Sequence, residues 1–179
     1  AQQWLQLLSR HRVGVWQVLP LAPTDGTGSP YSSPSGFALN PALLDQQDPL
    51  PPWTAQSTAD YRQWCKQQRH WLQDHARFMV LRTRFEQQPW WQWPEPAARR
   101  SKAFLRQLDR EEATAIEAEK QQQWWLQQQW QRLRDAATDC GVQILGDLPF
   151  YGAHDSADVW SLPQLFSLRR DGSLEQQSG

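Results

Sequence analysis

The sequence predicts an α/β fold, and three observations carry that prediction. Val13 to Leu21 is an apolar run that breaks at Pro20 and Pro23 into the polar loop Thr24-Asp25-Gly26-Thr27-Gly28-Ser29-Pro30-Tyr31-Ser32-Ser33, the pattern of a buried strand that delivers a ligand-facing loop. Val142-Gln143-Ile144-Leu145 repeats the device and runs into Gly146-Asp147-Leu148-Pro149-Phe150-Tyr151. Between the two lie roughly a hundred residues that read as helix almost throughout, far more than the single helix a crossover between neighbouring strands needs. The surplus predicts a large helical subdomain inserted between two strands, with boundaries at 1–40 for the first strand and its loop, 41–140 for the insert, and 141–179 for the second strand, its loop and a short helix.

Taken in order, Gln2 to Arg12 carries Trp4, Leu5, Leu7 and Leu8 at helical spacing and leads into the first strand. Asn40 to Pro52 is proline-punctuated loop, with Ala42-Leu43-Leu44 as a candidate minor strand. A long helix is expected from Thr58 to Gln88, capped by Ser57 or Thr58 and bearing Tyr61, Trp64, Trp71, Leu72, Phe78, Met79, Leu81 and Phe85 at steps of three and four. Pro89, Trp90, Trp91, Trp93, Pro94 and Pro96 end it in a segment too rich in proline for helix, whose indoles are expected to staple the neighbouring helices together. Helix resumes near Ala97 and runs to about Asp139, with a break expected at Asp109. Leu126, Trp130, Leu133 and Ala137 form its buried stripe, Gln and Arg its wet face, and Gly141 its stop. Glu111, Glu112, Glu117 and Glu119 read as solvated or capping groups.

Composition narrows the function. The 179 residues suffice for a domain with a core, yet fall short of the roughly 250 of a complete β/α barrel. A net charge of −1 with dispersed basic residues lacks the footprint of a nucleic-acid or anionic-membrane binder. No apolar run approaches the ~18 residues of a spanning helix, and the first residues lack the regions of a signal peptide. Cys65 and Cys140 match no metal or redox spacing and read as free thiols of a reducing, cytoplasmic compartment. Twelve tryptophans in a chain of mean hydropathy −0.77 must largely build the core, since few other large apolar residues are present.

Asp147 is the foremost candidate for chemistry, because a carboxylate just past the carboxyl end of a buried strand is where barrel enzymes place working residues; a structural Asp shaping its loop is the alternative. Ser29, Tyr31, Ser32 and Ser33 offer hydroxyls, and Tyr31 an aromatic face, a set suited to a polyhydroxylated ligand. His154, Asp155, Ser156 and Asp158 invite a metal or triad reading. No histidine pair has ligand spacing, and Asp155 or Ser156 caps a short helix containing Ala157, Val159 and Trp160, with Asp158 in its first turn. Neither a metal nor a cofactor is expected. Arg169-Arg170-Asp171-Gly172-Ser173 reads as a hairpin turn.

Four separated motifs occur in order: Trp16-Gln17-Val18-Leu19-Pro20-Leu21-Ala22-Pro23-Thr24, then Ser29-Pro30-Tyr31, then Asn40-Pro41-Ala42-Leu43-Leu44, then Gly146-Asp147-Leu148-Pro149-Phe150-Tyr151 with Asp155-Ser156-Ala157-Asp158-Val159-Trp160. Together with the Trp-rich helical insert they resemble the amylomaltase family, the 4-alpha-glucanotransferases of glycoside hydrolase family 77. The resemblance implies a partial (β/α)8 TIM barrel whose two strands are like the second and third. It implies transfer of an α-1,4-glucan segment, from maltodextrin, starch or glycogen, to the 4-hydroxyl of glucose or another glucan. Such enzymes retain configuration by double displacement, with one carboxylate as nucleophile and a second as acid and base.

Carried over residue by residue, Ser29 and Tyr31 match loop residues of the family that contact donor sugar, and Asp147 matches the strand-end Asp that hydrogen-bonds sugar beside them. Asp155 and Asp158 match positions with a structural role. Where the family frequently shows Gly-Tyr-Gly-Asp, this chain has Asp25-Gly26-Thr27-Gly28, and Gly26 replaces an aromatic residue that serves a secondary glucan site in some members. The family's Arg-Ile-Asp-His motif, which holds the nucleophile, does not occur, so no catalytic residue is expected in this chain. An internal fragment of a larger catalytic domain, inactive alone, is the expectation. A non-catalytic Trp-rich carbohydrate-binding or interaction module and a related α-glucan hydrolase are the alternatives.

Overall fold

The computed structural model describes residues 1–48 and 52–176, so part of the tract read as loop from Asn40 to Pro52, and residues 177–179, lie outside the described residues. Among those described, the chain runs through α1 (Gln2–Arg10), β1 (Val15–Gln17), α2 (Ala55–Gln67), α3 (Leu72–Arg84), α4 (Glu95–Ala98), α5 (Lys102–Glu111), α6 (Ala113–Asp139), β2 (Gln143–Leu145) and α7 (Ala157–Ser161). Short 3-10 turns occur at Pro30–Ser32, Pro41–Leu43, Trp90–Gln92 and Pro163–Leu165.

The two apolar runs pair as parallel strands, with Val15 opposite Gln143, Trp16 opposite Ile144 and Gln17 opposite Leu145. Regular strand occupies only three residues of each run, although Gln143 N donates to Gly14 O and Val18 N to Leu145 O, both at 2.9 Å. Side chains alternate across a strand. Trp16 and Ile144 therefore share the face covered by α1 and the end of α6, in a cluster with Leu5, Leu8, Ala137 and Val142. Val15 and Leu145 lie on the other face and stay exposed. Gly141 (φ +68°) stops α6 as its position predicts, donating to Thr138 O while Val142 N reaches Ala137 O.

The expected helix from Thr58 to Gln88 is two helices, broken over Gln68–Trp71. A continuous helix would set Trp64 and Trp71 about 10 Å apart along its axis. The break brings their rings into an edge-to-face pair at 6.4 Å, in a cluster with Ala38, Tyr61, Leu72 and Trp124. The amino end also begins earlier, at Thr54. Its Oγ1 accepts from Ser57 N at 3.0 Å, while Thr54 N donates to Ser57 Oγ at 2.8 Å, a reciprocal capping box. Ser57 and Thr58 are thus inside the helix.

Three further expectations are corrected. Ala42-Leu43-Leu44 is no strand: Asn40 Oδ1 accepts from Ala42 N at 2.9 Å and fixes a 3-10 turn with Pro41 at its start. The second helical break falls at Glu112, because Asp109 is held as an acceptor by Arg77 Nε at 2.8 Å and by Arg77 Nη2, which ties α5 to α3. The proline-rich segment includes the one-turn α4, whose Pro96 occupies a first-turn position where no intrahelical N–H bond is lost.

The glutamine face of α6 is not uniformly wet. Gln123 is 2% exposed, accepts from Leu39 N at 2.8 Å and donates to Leu39 O at 2.9 Å. Gln129 does the same for Asp45, at 2.9 and 3.0 Å. These amides replace a strand partner for chain that would otherwise leave backbone groups unpaired. The main core gathers Phe78, Leu81, Trp93, Ala97, Leu108, Ile116, Val159 and Trp160. Trp93 packs against Phe78 and Phe85 at 5.4 and 5.5 Å, so the Trp-Pro segment is the expected staple. Trp160, on α7, donates its indole N–H to Ala97 O at 3.0 Å and carries Arg100 over its ring at 4.3 Å. The chain after β2 is thereby locked onto the helical body.

Candidate functional site

The loop after β1 is organised by Asp25. Its Oδ1 accepts from Thr27 N at 2.8 Å, Thr27 Oγ1 at 2.6 Å and Ser29 N at 3.0 Å. Gly28, at φ +83°, lets the chain close this turn. These bonds, the Thr27 hydroxyl foremost, hold the Asp25 carboxyl below the usual range. Ser29 then caps the following 3-10 turn, its Oγ accepting from Tyr31 N at 3.3 Å, with Pro30 pre-set at the turn's first position. The outcome is a fixed direction for Tyr31.

Tyr31 donates its hydroxyl to Asp147 Oδ2 at 2.7 Å, a contact across 116 residues of chain. Asp147 sits two residues beyond β2, on the end of the sheet from which the Asp25 loop also leaves β1. The parallel pairing explains the meeting: both strands deliver their following loops at the same edge. The bond to Asp147 raises the Tyr31 pKa, with a smaller contribution from desolvation. Two of the three predicted site residues are therefore joined directly. Ser29 supports them from within its turn.

An open cleft of about 1490 Å³ has Tyr31, but not Asp147, in its wall. Thr24, Asp25 and Tyr31 form one wall, Met79 and Arg82 of α3 another, and Phe150, Tyr151, His154 and Asp155 a third. Phe150 is 93% and Tyr151 72% exposed, so both aromatic faces are free for contact. Ser32 also lines the cleft. Ser33 does not contribute: it is buried and donates to Ser35 O at 2.7 Å, which corrects its place among the ligand-facing hydroxyls.

The remaining acids are committed to the fold. Asp155 Oδ1 accepts from Trp90 N at 3.2 Å and Oδ2 lies 3.5 Å from Arg82 Nη2; burial raises its pKa, and Arg82 opposes that shift. Asp158 Oδ2 accepts from Gly36 N at 2.7 Å, and burial raises its pKa as well. Ser156, fully buried, is the cap of α7, accepting from Val159 N at 3.2 Å. His154 stacks on Trp91 at 3.8 Å, and its Nε2 lies 2.7 Å from Gly172 O. The predicted hairpin turn is present around Gly172 at φ +84°, where a Cβ would meet Trp90 at 3.0 Å. No group of three or more His, Cys, Asp or Glu side chains able to hold a metal is found among the described residues.

A protein-family model described as 4-alpha-glucanotransferase, glycoside hydrolase family 77, matches the chain over residues 1–55 and 47–174. The chain belongs to this family. Among curated proteins, the 4-alpha-glucanotransferase of Thermus thermophilus is 31% identical over 210 residues, which cover 96% of this chain and 42% of that protein. That of Aquifex aeolicus is 30% identical, covering 98% and 43%. The chloroplastic/amyloplastic 4-alpha-glucanotransferase of Solanum tuberosum is 28% identical, covering 94% and 37%. Among solved structures, the amylomaltase from Streptococcus agalactiae in complex with acarbose superposes with a TM-score of 0.86 at 25% identity, over 95% of this chain and 43% of that one.

The chain thus spans less than half the length of the 4-alpha-glucanotransferases it matches. The Thermus alignment also runs to more positions than this chain has residues, and the family match is in two pieces that meet at 47–55. In this family member, sequence reasoning overlooked Asp25 as the loop's organiser and Arg82 as part of the cleft. Asp25-Gly26-Thr27 carries a local signal, an Asx turn. Arg82 carries none, because only the helical packing brings α3 beside the cleft.

Proposed function

We propose that this chain supplies the sugar-holding side of a 4-alpha-glucanotransferase. Tyr31 and Asp147 bind an α-1,4-glucan in the cleft, and Ser29 fixes the loop that presents Tyr31. The observation that carries the reading is the 2.7 Å hydrogen bond from Tyr31 to Asp147. It holds a phenol ring and a carboxylate together at one edge of the sheet, offering a stacking face and an acceptor for sugar hydroxyls. In this reading β1 and β2 are the second and third strands of a (β/α)8 barrel, residues 1–40 and 141–179 belong to it, and residues 41–140 form the insert. Parallel pairing and the helices behind one face of the sheet support that arrangement.

The reaction is transfer of a glucan segment from maltodextrin, starch or glycogen to the 4-hydroxyl of an acceptor, with retention through a covalent intermediate. Such chemistry needs two carboxyl groups roughly 5–5.5 Å apart across the scissile bond. Here Asp25, Asp155 and Asp158 are engaged by backbone N–H groups or by Arg82. Asp147 is exposed and, apart from the Tyr31 hydroxyl, has no hydrogen-bond partner among the described residues; as a hydrogen-bonding group it orients the donor without attacking it. The two thiols, Cys65 and Cys140, are unbridged, which fits a cytoplasmic setting. No helix among the described residues is long and apolar enough to cross a membrane.

The test is incubation of the chain with maltotriose, following products and reducing ends. Binding without release of glucose and maltopentaose is expected. Formation of glucose with longer maltodextrins at constant reducing-end number would show that a nucleophile and an acid reside in this chain. A rise in reducing ends would place it among hydrolases.

A further inference from the structure

A second pocket lies on the helical body and shares no lining residue with the cleft. It measures about 170 Å³ and is walled by Trp53, Trp124 and Trp125, with Asp60, Gln128 and Arg132 at its polar margin. That is below the roughly 300–1,000 Å³ of sites for drug-sized ligands, which restricts it to one ring. Trp53 is 42% exposed and stands edge-on to Tyr61 at 5.3 Å, leaving an indole surface free.

Indole hydrogen bonding divides the tryptophans: the described residues give no acceptor to Trp4, Trp16, Trp64, Trp91 or Trp130, as to the three pocket indoles, whereas four others are bonded. Trp71, Trp90, Trp93 and Trp160 each donate the indole N–H to a protein acceptor. The indole N–H groups of Trp53, Trp124 and Trp125 have no acceptor among the described residues, and the Gln128 amide likewise makes no hydrogen bond there. The free face of Trp53, the indole donors beside it and the Gln128 amide form a surface for a ligand that is apolar on its ring face and hydroxylated at its edge.

The polar margin adds hydrogen-bonding groups. Arg132 already lies over the Trp125 ring at 4.7 Å and pairs with Asp48, so one aromatic face has its cation. Asp60 adds a carboxylate at the pocket's margin, an acceptor for the hydroxyls of a neutral polyol. The position also sets this pocket apart. Trp53 falls where the two matched pieces of the family meet, directly before the Thr54 cap of α2.

We propose that this pocket binds one glucosyl unit of an α-1,4-glucan, as an anchoring site separate from the cleft. The choice of an α-1,4-glucan among neutral polyols rests on the substrate class proposed above. A sugar ring stacks on Trp53, and its hydroxyls accept from the indole N–H groups and bond to Gln128 and Asp60. The glucan chain continues across the open mouth.

The test is a titration of the full, 15N-labelled chain with maltotriose, with cellotriose as the β-linked control. Indole N–H resonances report the pocket, and backbone amides of residues 24–31 report the cleft. Saturable shifts of the Trp53, Trp124 and Trp125 indoles by maltotriose, and not by cellotriose, are expected. Trp53→Ala should weaken the response of the other two indoles at least tenfold, and Gln128→Ala several-fold; neither change should alter the response of residues 24–31. Tyr31→Phe should leave the indole shifts intact. Cleft amides that respond while the three indoles stay still would overturn the pocket and spare the cleft. Indoles that respond equally to cellotriose would overturn the glucan assignment. Silence of both sets would overturn both readings.

Discussion

The helical body and the two-stranded edge of this molecule are built on opposite terms. In the body, Trp160 touches Phe78, Trp93 and Arg100, donates to Ala97 O and is 1% exposed. At the edge, Leu145 and Leu148 are exposed, and the loops are pinned by a few backbone N–H groups donating to Asp25, Ser29 and Asp158. The contrast teaches where each property resides. Stability is stored where aromatic surface is buried; recognition is presented where it is not.

The strongest way to break this division is to empty the body. Trp160→Ala removes a fully buried indole together with its hydrogen bond to Ala97 O. A loss of about 3–5 kcal/mol is expected, read as the midpoint of urea unfolding. Because α7 also ties Ala157 N to Pro34 O and Asp158 to Gly36 N, the edge should lose order together with the body. Survival of the edge's amide protection in this variant would show that the two regions are independent.

The next effect sharpens the comparison through pH. His75 is 2% exposed, its Nδ1 has no hydrogen-bond partner, and burial pushes its pKa down to about 4 from an ordinary 6.5. Between those values the unfolded chain binds a proton that the folded chain refuses. Stability attributable to His75 is therefore complete above pH 6.5 and falls as pH drops toward 4, by about 3 kcal/mol in all. Asp155 and Asp158 act oppositely, because burial raises their pKa values and protonation relieves a buried charge. Urea unfolding of the wild type and of His75→Gln at pH 7 and pH 4.5 separates these effects. The variant should show the smaller loss on acidification, and an unchanged loss would remove His75 from the account.

The same division explains what could be read from sequence. The paired strands, the Gly141 stop and the Trp-Pro staple follow from signals confined to a few adjacent residues, and all are present. The failures are tertiary. No Gly or Pro marks the break at Gln68–Trp71, which is set by the packing of Trp64 on Trp71. Asp109 looks like a helix cap until Arg77 claims it from another helix. Gln123 looks like wet helix surface until Leu39 arrives from 84 residues away. A local pattern reports a residue's own element, whereas these three positions are decided by partners that the pattern does not contain.

The smallest effect on stability falls at the edge, where the effect on recognition is greatest. Tyr31→Phe deletes a hydroxyl whose acceptor, Asp147, is exposed and can turn to water, so the urea midpoint should be essentially unchanged. Maltotriose binding should nonetheless weaken about three- to tenfold, the worth of roughly one hydrogen bond that orients the acceptor. The bond can also be checked without sugar. The Tyr31 pKa is raised chiefly by its hydrogen bond to Asp147, so Asp147→Asn should let the phenol ionise closer to the ordinary value near 10, seen as phenolate absorbance in an alkaline titration. Only one tyrosine should shift, because Tyr61 donates to Glu117 at 2.7 Å and owes its own raised pKa chiefly to burial. If the titration is unchanged while sugar binding still falls, Asp147 acts on the sugar directly and the Tyr31 bond is incidental. If both change together, the phenol and the carboxylate work as one unit, and the edge owes its recognition to a contact between loops that only strand pairing brings within reach.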